Sequence, residues 1–236
     1  MTQVLIVQNI TREGPGLLAR VLDRAGIAYD LVDLDKGETF PDPRGYKALV
    51  VLGGPDSAND DTDKMRAELA QVEVALDAGM PYLGICLGLQ VLVKAVGGQV
   101  VPGAEKEIGL TDAAGKSYAV EPTAEGGADS LLAGLPPVLD VFQLHGETVE
   151  LTPGMELLAT GEHCRNQIVR VADRAYGIQS HFELTPDMLA VWAAQDPDLQ
   201  PIGAEVLAAG FERIRENYTR IGESLLTNFL HIAGLL

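Results

Sequence analysis

The stretch Gly84-Ile85-Cys86-Leu87-Gly88-Leu89-Gln90 decides the fold, because it sets a cysteine between a short apolar run and a helix. Pro81 to Ile85 is apolar and too short for a helix, whereas Leu87 to Val96 has helical spacing and ends at the stop signal Gly97-Gly98. Gly84 and Gly88 flank the cysteine as Gly-x-Cys-x-Gly, the thiol counterpart of the Gly-x-Ser-x-Gly elbow, in which small neighbours allow a sharp strand-to-helix turn. Unpaired N–H groups at the start of the helix favour a negative sulfur, and the N–H of Leu87 points to where an oxyanion would form. A lone free cysteine is more often a small buried hydrophobe. The elbow argues for a nucleophile at Cys86.

Outward from the elbow, apolar runs at Val4 to Val7, Tyr29 to Leu34, Ala48 to Leu52 and Pro81 to Ile85 alternate with helical patterns at Gly16 to Arg24 and Thr62 to Ala78. This order predicts a parallel sheet with helices on both faces, and ligands in such sheets bind at the carboxyl ends of strands, where Gly53 and Cys86 fall. After Gly97 the segments shorten. Gln99 to Val101, Val138 to Leu144, Leu157 to Thr160, Gln167 to Val171 and Tyr176 to Ser180 predict an antiparallel extension. Thr123 to Asp129, with Gly126-Gly127, reads as a flexible connection; it lacks the lysine and hydroxyl residue of a phosphate loop. From Thr185 onward the chain reads helical, with Thr185-Pro186-Asp187 opening one helix and Ile202 to Ala209 with Phe211 to Leu235 supplying at least one more. The expected division is a domain over 1–190 and a helical extension over 191–236.

Composition bounds the function. With 47% hydrophobic and 22% charged residues the chain reads as an ordinary soluble protein, and no apolar run approaches the roughly 20 residues of a membrane span. The start lacks the pattern of a signal peptide, so the protein is expected in the cytoplasm, with Cys86 and Cys164 as free thiols. A formal charge of −17 repels phosphate backbones and argues against nucleic acid as a ligand. His163-Cys164 and His145 lack the spacing of zinc modules, so no metal is expected, and Asp56 reads as a surface turn residue.

A cysteine nucleophile needs a base, and the base an orienting partner. In an extended stretch His181 and Glu183 project to one face, so one imidazole nitrogen can meet Glu183 while the other faces Cys86. The elbow, together with Gly53-Gly54-Pro55 upstream and Tyr176-Gly177-Ile178-Gln179-Ser180-His181-Phe182-Glu183 downstream, resembles the class I (triad) glutamine amidotransferase family, as free-standing members similar to the glutaminase domain of GMP synthetase. The three motifs occur in the family's order and span about residues 1–190. The resemblance implies a flavodoxin-like α/β fold: an open, mostly parallel sheet with an antiparallel extension, helices on both faces and a helical C-terminal tail.

It implies Cys86 as nucleophile, His181 as acid and base, and Glu183 as its orienting carboxylate. Gly54 and Leu87 would supply the oxyanion N–H groups, and Gly53 and Gln90 would help hold the substrate. Leu144-His145-Gly146-Glu147 is similar to the family's Ser-His-Gly-Asp segment, which meets the amino-acid end of glutamine largely through backbone. The sequence departs from the pattern at Ser180, Phe182, Leu144 and Glu147, and the loss of proline at 182 frees a φ angle beside His181.

The implied reaction is release of ammonia from glutamine through a thioester on Cys86, without a cofactor, for a separate synthetase subunit, since too few residues follow position 190 to form one. A stand-alone γ-glutamyl peptidase or hydrolase acting on another γ-glutamyl compound is the alternative, and a non-catalytic binding module of the same fold is the third reading. The apolar tail Ser224 to Leu236 packs either on its own domain or in a homodimer or synthetase interface.

Overall fold

The protein is described by a computed structural model over residues 2–236. Strands β1 (Val4–Gln8), β2 (Tyr29–Asp33), β3 (Ala48–Val51) and β4 (Tyr82–Ile85) form where β-branched and apolar runs can be buried on both faces; β1, β3 and β4 are buried along their whole length. Helices α1 (Gly16–Ala25), α2 (Asp63–Asp77) and α3 (Leu87–Ala95) connect them. The later strands are β5 (Gln99–Gly109), β6 (Ala119–Pro122), β7 (Leu139–Asp140), β8 (Gln143–Glu150), β9 (Glu156–Gly161), β10 (Ile168–Ala172) and β11 (Ala175–Ile178).

The main sheet has the order β2-β1-β3-β4-β11-β10-β9-β6-β7, parallel from β2 to β11 and antiparallel beyond. It is the α/β arrangement expected, mostly parallel with an antiparallel extension. β5 and β8 form a separate two-stranded ribbon. One core packs α1 and the C-terminal helices on one face of the sheet, and a second packs α2 and α3 on the other. No helix among the described residues is long and apolar enough to cross a membrane.

Three local expectations are corrected. The run Val138 to Leu144 is not one strand: it divides into β7 and the start of β8, because Phe142 leaves the sheet to exchange backbone hydrogen bonds with His181. Thr123 to Asp129 is not a loose connection but a short helix, α4 (Ala124–Ala128), capped by Thr123 Oγ1 accepting from Gly126 N at 3.0 Å. Gly126 is held close, since a Cβ there would stand 1.8 Å from Leu158 O. Gly210 does not interrupt the C-terminal helix either.

After α5 (Pro186–Gln195), capped by Thr185, a single helix α6 runs over Ala204–Ile232, with Gly210 placed where a Cβ would meet Leu110 Cδ1 at 2.8 Å. The apolar stripe of α6 is buried on its own chain, with Tyr218, Ile221, Leu225, Leu226, Phe229 and Leu230 fully enclosed.

Gly222 marks a close approach of α6 to the segment after β11 and to α1: a Cβ there would lie 2.2 Å from Phe182 O and 3.0 Å from Leu17 Cδ1. In an open helix, glycine to alanine gains about 1 kcal/mol. Here Gly222→Ala is expected to lower stability by about 2 kcal/mol, through overpacking against backbone. Urea unfolding measures it, and an unchanged or raised midpoint would show that α6 does not dock as described.

Candidate active site

Cys86 ends β4 with φ +52° and ψ −105°, and it is the one non-glycine residue with positive φ among the described residues. Such a conformation is costly for an L-residue and persists only where its surroundings enforce it. The enforcement is close packing. A Cβ on Gly84 would lie 2.3 Å from the carbonyl of Gly88, and one on Gly88 would lie 2.2 Å from Val51 O, so both glycines let the first turn of α3 press onto β3 and β4. Cys86 N donates to Ile178 O at 2.7 Å, and Tyr82 Oη donates to Gly88 O at 2.8 Å.

The N–H groups of Leu87, the first residue of α3, and of Gly54, in the loop after β3, donate to no backbone acceptor among the described residues. A Cβ on Gly54 would touch Leu87 Cδ2 at 3.4 Å, so the two residues are neighbours beside the sulfur. Free N–H groups side by side next to a nucleophile are what an oxyanion requires. Asn9, whose Cβ lies 2.7 Å from that same point, backs this loop by donating to Leu52 O at 3.2 Å and Glu68 Oε1 at 2.9 Å.

His181 and Glu183 follow β11, both almost fully buried. Glu183 Oε1 lies 2.7 Å from His181 Nδ1, while Oε2 accepts from Phe182 N at 3.0 Å. A carboxylate oxygen only accepts, so Nδ1 carries the proton of this bond. Nε2 is buried without another hydrogen-bond partner among the described residues, and the ring interacts with the Cys86 thiol. Burial alone would push the imidazole pKa down, but Glu183 and Cys86 outweigh it and raise the value well above the ordinary one.

The ring is held from behind. Trp192 of α5 meets it edge-on at 5.0 Å, and Tyr218 Oη of α6 donates to His181 O at 2.9 Å while accepting from Leu184 N at 3.2 Å. The freedom expected from the missing proline at 182 is removed by these contacts and by the Phe142 bridge; Phe182 itself is buried in the core.

A cavity of about 390 Å³ opens over Cys86. Gln90, Leu144, His145, Gly146 and Glu147 line it, together with Arg12, Glu13, Asp196 and Asp198. Leu144 O lies 3.7 Å from Cys86 Sγ, and Gln90 Nε2 donates to Glu147 O at 3.4 Å, so this segment presents backbone carbonyls. Gly53 lies between His181 and Cys86: a Cβ on it would stand 3.1 Å from His181 Cε1 and 3.5 Å from Cys86 Cβ. Asp56 also borders the cavity, paired with Lys64 Nζ at 2.6 Å.

Sequence reasoning did not single out Gln179, whose Nε2 donates to Cys86 Sγ at 3.7 Å, nor Glu13, Arg12, Asp196 and Asp198. Of these only Gln179 carried a signal, its place two residues before His181. Glu107, His145 and Cys164 cluster within 4.8 Å, with Glu107 2.9 Å from His145 Nε2 and Cys164 Sγ 3.2 Å from Thr148 Oγ1. These contacts fix the His145 ring at the cavity wall.

The glutamine amidotransferase class-I family matches residues 16–189. The chain is 30% identical over 231 residues to the glutamine amidotransferase-like protein YfeJ of Salmonella typhimurium, covering 94% of each. It is 32% identical over 178 residues to the glutamine-hydrolyzing GMP synthase of Shewanella amazonensis, 72% of this chain and 31% of that one, so it spans about a third of the length of such relatives. The crystal structure of a glutamine amidotransferase from Thermotoga maritima superposes with a TM-score of 0.85 at 26% identity, covering 98% of both chains. The chain belongs to the class-I glutamine amidotransferase family.

Glu68, buried behind the loop after β3 and bonded to Asn9, makes this architecture pH-dependent. Burial pushes its carboxyl from 4.5 up to about 7, against the Asn9 hydrogen bond and the Lys64 charge. Between those values the unfolded chain has lost the proton that the folded chain keeps, so stability falls as pH rises, by roughly 3 kcal/mol for this group. Glu68→Gln keeps an acceptor for Asn9 and removes the titration. Urea unfolding at pH 5 and pH 7.5 should show a smaller stability loss in this variant than in the wild type; an equal loss would exclude Glu68 as its source.

Proposed function

We propose that this family member hydrolyses the side-chain amide of glutamine through a γ-glutamyl thioester on Cys86 and passes the ammonia to a separate acceptor subunit in the cytoplasm. The observation that carries the reading is the meeting, around a conformationally enforced cysteine that borders a cavity, of a His181–Glu183 pair and two N–H groups without backbone acceptors. Cys86 gives its thiol proton to His181 as the sulfur attacks the amide carbon, and the charge passing to oxygen is met by Gly54 and Leu87 N–H groups. The protonated His181 gives its proton to the leaving nitrogen, and ammonia departs. Neutral His181 then takes a proton from water as its oxygen attacks the thioester, releasing glutamate and restoring the thiol. Glu183 holds the ring and stabilises its charged form in both steps.

The amino-acid end of the substrate is assigned to Gln90 and the backbone of Leu144 to Glu147, which line the cavity, with Gly53 beside Cys86 and His181. The similarity to part of a larger glutamine-hydrolyzing GMP synthase supports an acceptor elsewhere. A second reading, hydrolysis of a larger γ-glutamyl amide, is favoured by the reach of the cavity lining to Arg12 and Asp196–Asp198, beyond Gln90 and the segment 144–147.

Ammonia and glutamate release from glutamine and from a panel of γ-glutamyl amides tests both readings. Cys86→Ala is expected to abolish turnover, and Glu183→Gln to lower kcat by at least about 10²-fold. Mass spectrometry of the wild type during turnover should detect the γ-glutamyl adduct on Cys86. Turnover of amides but not of glutamine would replace the first reading by the second, and turnover of neither, with no adduct, would exclude both.

A further inference from the structure

Outside the triad, the ionisable side chain of Glu13 approaches the Cys86–His181 pair. Glu13 lies in the loop between β1 and α1, and Gly53 fixes where its carboxyl points: a Cβ on that glycine would stand 2.6 Å from Glu13 Oε2, as well as beside His181 Cε1 and Cys86 Cβ. The three side chains surround one point, with the Glu13 oxygen within about 6 Å of the imidazole. This placement is built into the fold. Leu17 N donates to Glu183 O at 2.8 Å, and Gly16, with φ +45°, leaves room for that carbonyl at a distance no Cβ would allow. On the other side, Trp192 Nε1 donates to Arg12 O at 2.8 Å. The loop is thus tied on both flanks of Glu13 to the elements that hold His181.

No donor among the described residues hydrogen-bonds the Glu13 carboxyl. Its nearest cation, Arg12 Nη2, is 3.8 Å away and is bound to Asp196 at 2.8 Å. We propose that Glu13 is a second carboxylate of the catalytic centre, a positioning residue that acts on the His181 ring through space across Gly53. The reactivity of the Cys86–His181 pair then depends on whether Glu13 is ionised. The inference rests on Cys86 and His181 being a reactive pair, and not on which amide they cleave.

The charges around Glu13 set the sign. Burial raises its pKa from 4.5 to about 7; His181 and Arg12 oppose the rise, and Glu183 and Asp196 add to it. His181 in turn faces Glu183 and Cys86. Further out along the cavity, Asp56 is matched by Lys64 and Asp198 by Lys106. Below about pH 7 Glu13 is neutral; above it, its charge favours the protonated ring, the reciprocal of the effect of His181 on Glu13. The imidazolium therefore persists to higher pH with Glu13 than without it.

The chain has four histidines, so carbon-13 NMR of the Cε1 positions across pH resolves each ring, with His181→Asn assigning the relevant one. In the wild type the His181 resonance is expected to show a step near pH 7, separate from titration of the ring itself. In Glu13→Gln that step should vanish. At a fixed pH within the ring's own titration, the ratio of protonated to neutral His181 should fall by at least about threefold, the floor for unit charges about 6 Å apart even at the dielectric of water.

Superimposable curves in the two proteins would overturn the proposal. If the variant does not fold, the wild type alone decides, because absence of the step near pH 7 also overturns it. The measurement needs no substrate, so a failure to hydrolyse glutamine leaves its outcome untouched.

Discussion

The site depends on one steric constraint, the approach of the first turn of α3 to the backbone of β3 and β4. At Gly88 a single added carbon would stand 2.2 Å from Val51 O, and at Gly84 it would stand 2.3 Å from Gly88. This contact fixes where α3 begins, and its beginning fixes the conformation of Cys86, at a cost of about 1–3 kcal/mol in backbone strain. Burial of Leu89, Val91, Leu92 and Val93 against the sheet offsets that cost several times over, at about 1.5–3 kcal/mol for each fully buried large side chain. The conformation of Cys86 and the unpaired N–H of Leu87 are thus two consequences of one packing requirement.

The histidine is held by a different device. Where a proline would restrict the backbone after His181, this chain has Phe182, and tertiary contacts supply the restriction. Phe142 bonds both backbone groups of His181, Tyr218 Oη reaches the same carbonyl, and Trp192 closes the space behind the ring. Two of these three residues come from helices after position 185, and Asp196 and Asp198 wall the cavity. Residues 191–236 therefore help hold the His181 segment, and a boundary drawn at 190 separates His181 from Trp192 and Tyr218.

The parallel half of the sheet was legible because buried strands read as continuous apolar runs punctuated by helices, and the elbow because its glycines sit at fixed spacing around one cysteine. His181 and Glu183 were legible for the same reason: they are neighbours in sequence, so a two-residue spacing in extended chain carries their geometry. Glu13, Arg12 and Asp196 were not. They meet the site only through the tertiary path of the loop after β1 and the turn after α5, and a surface-type Arg-Glu pair looks the same in sequence whether exposed or enclosed. The strand over Val138 to Leu144 failed on similar grounds, since the bridge from Phe142 to His181 joins residues 39 apart in the chain. Gly126 and Gly210 read as breaks, but each permits a close contact whose partner lies 32 or 100 residues away.

Glu183, Glu68 and Glu13 are all buried near this site, and burial alone does not distinguish them. What differs is the supply of donors. Glu183 has an imidazole N–H and a backbone N–H, Glu68 has one amide with Lys64 nearby, and Glu13 has no hydrogen bond at all. A carboxylate keeps its charge in a low-dielectric interior only to the extent that donors and cations replace lost water. The donor set therefore lets Glu183 stay charged beside the His181 ring, whereas Glu13 and Glu68, pushed up to about 7, change charge near neutral pH. In a chain of net charge −17, the enclosed acids are thus divided between a fixed partner and groups that respond to pH, and the division follows from where the backbone can present N–H groups.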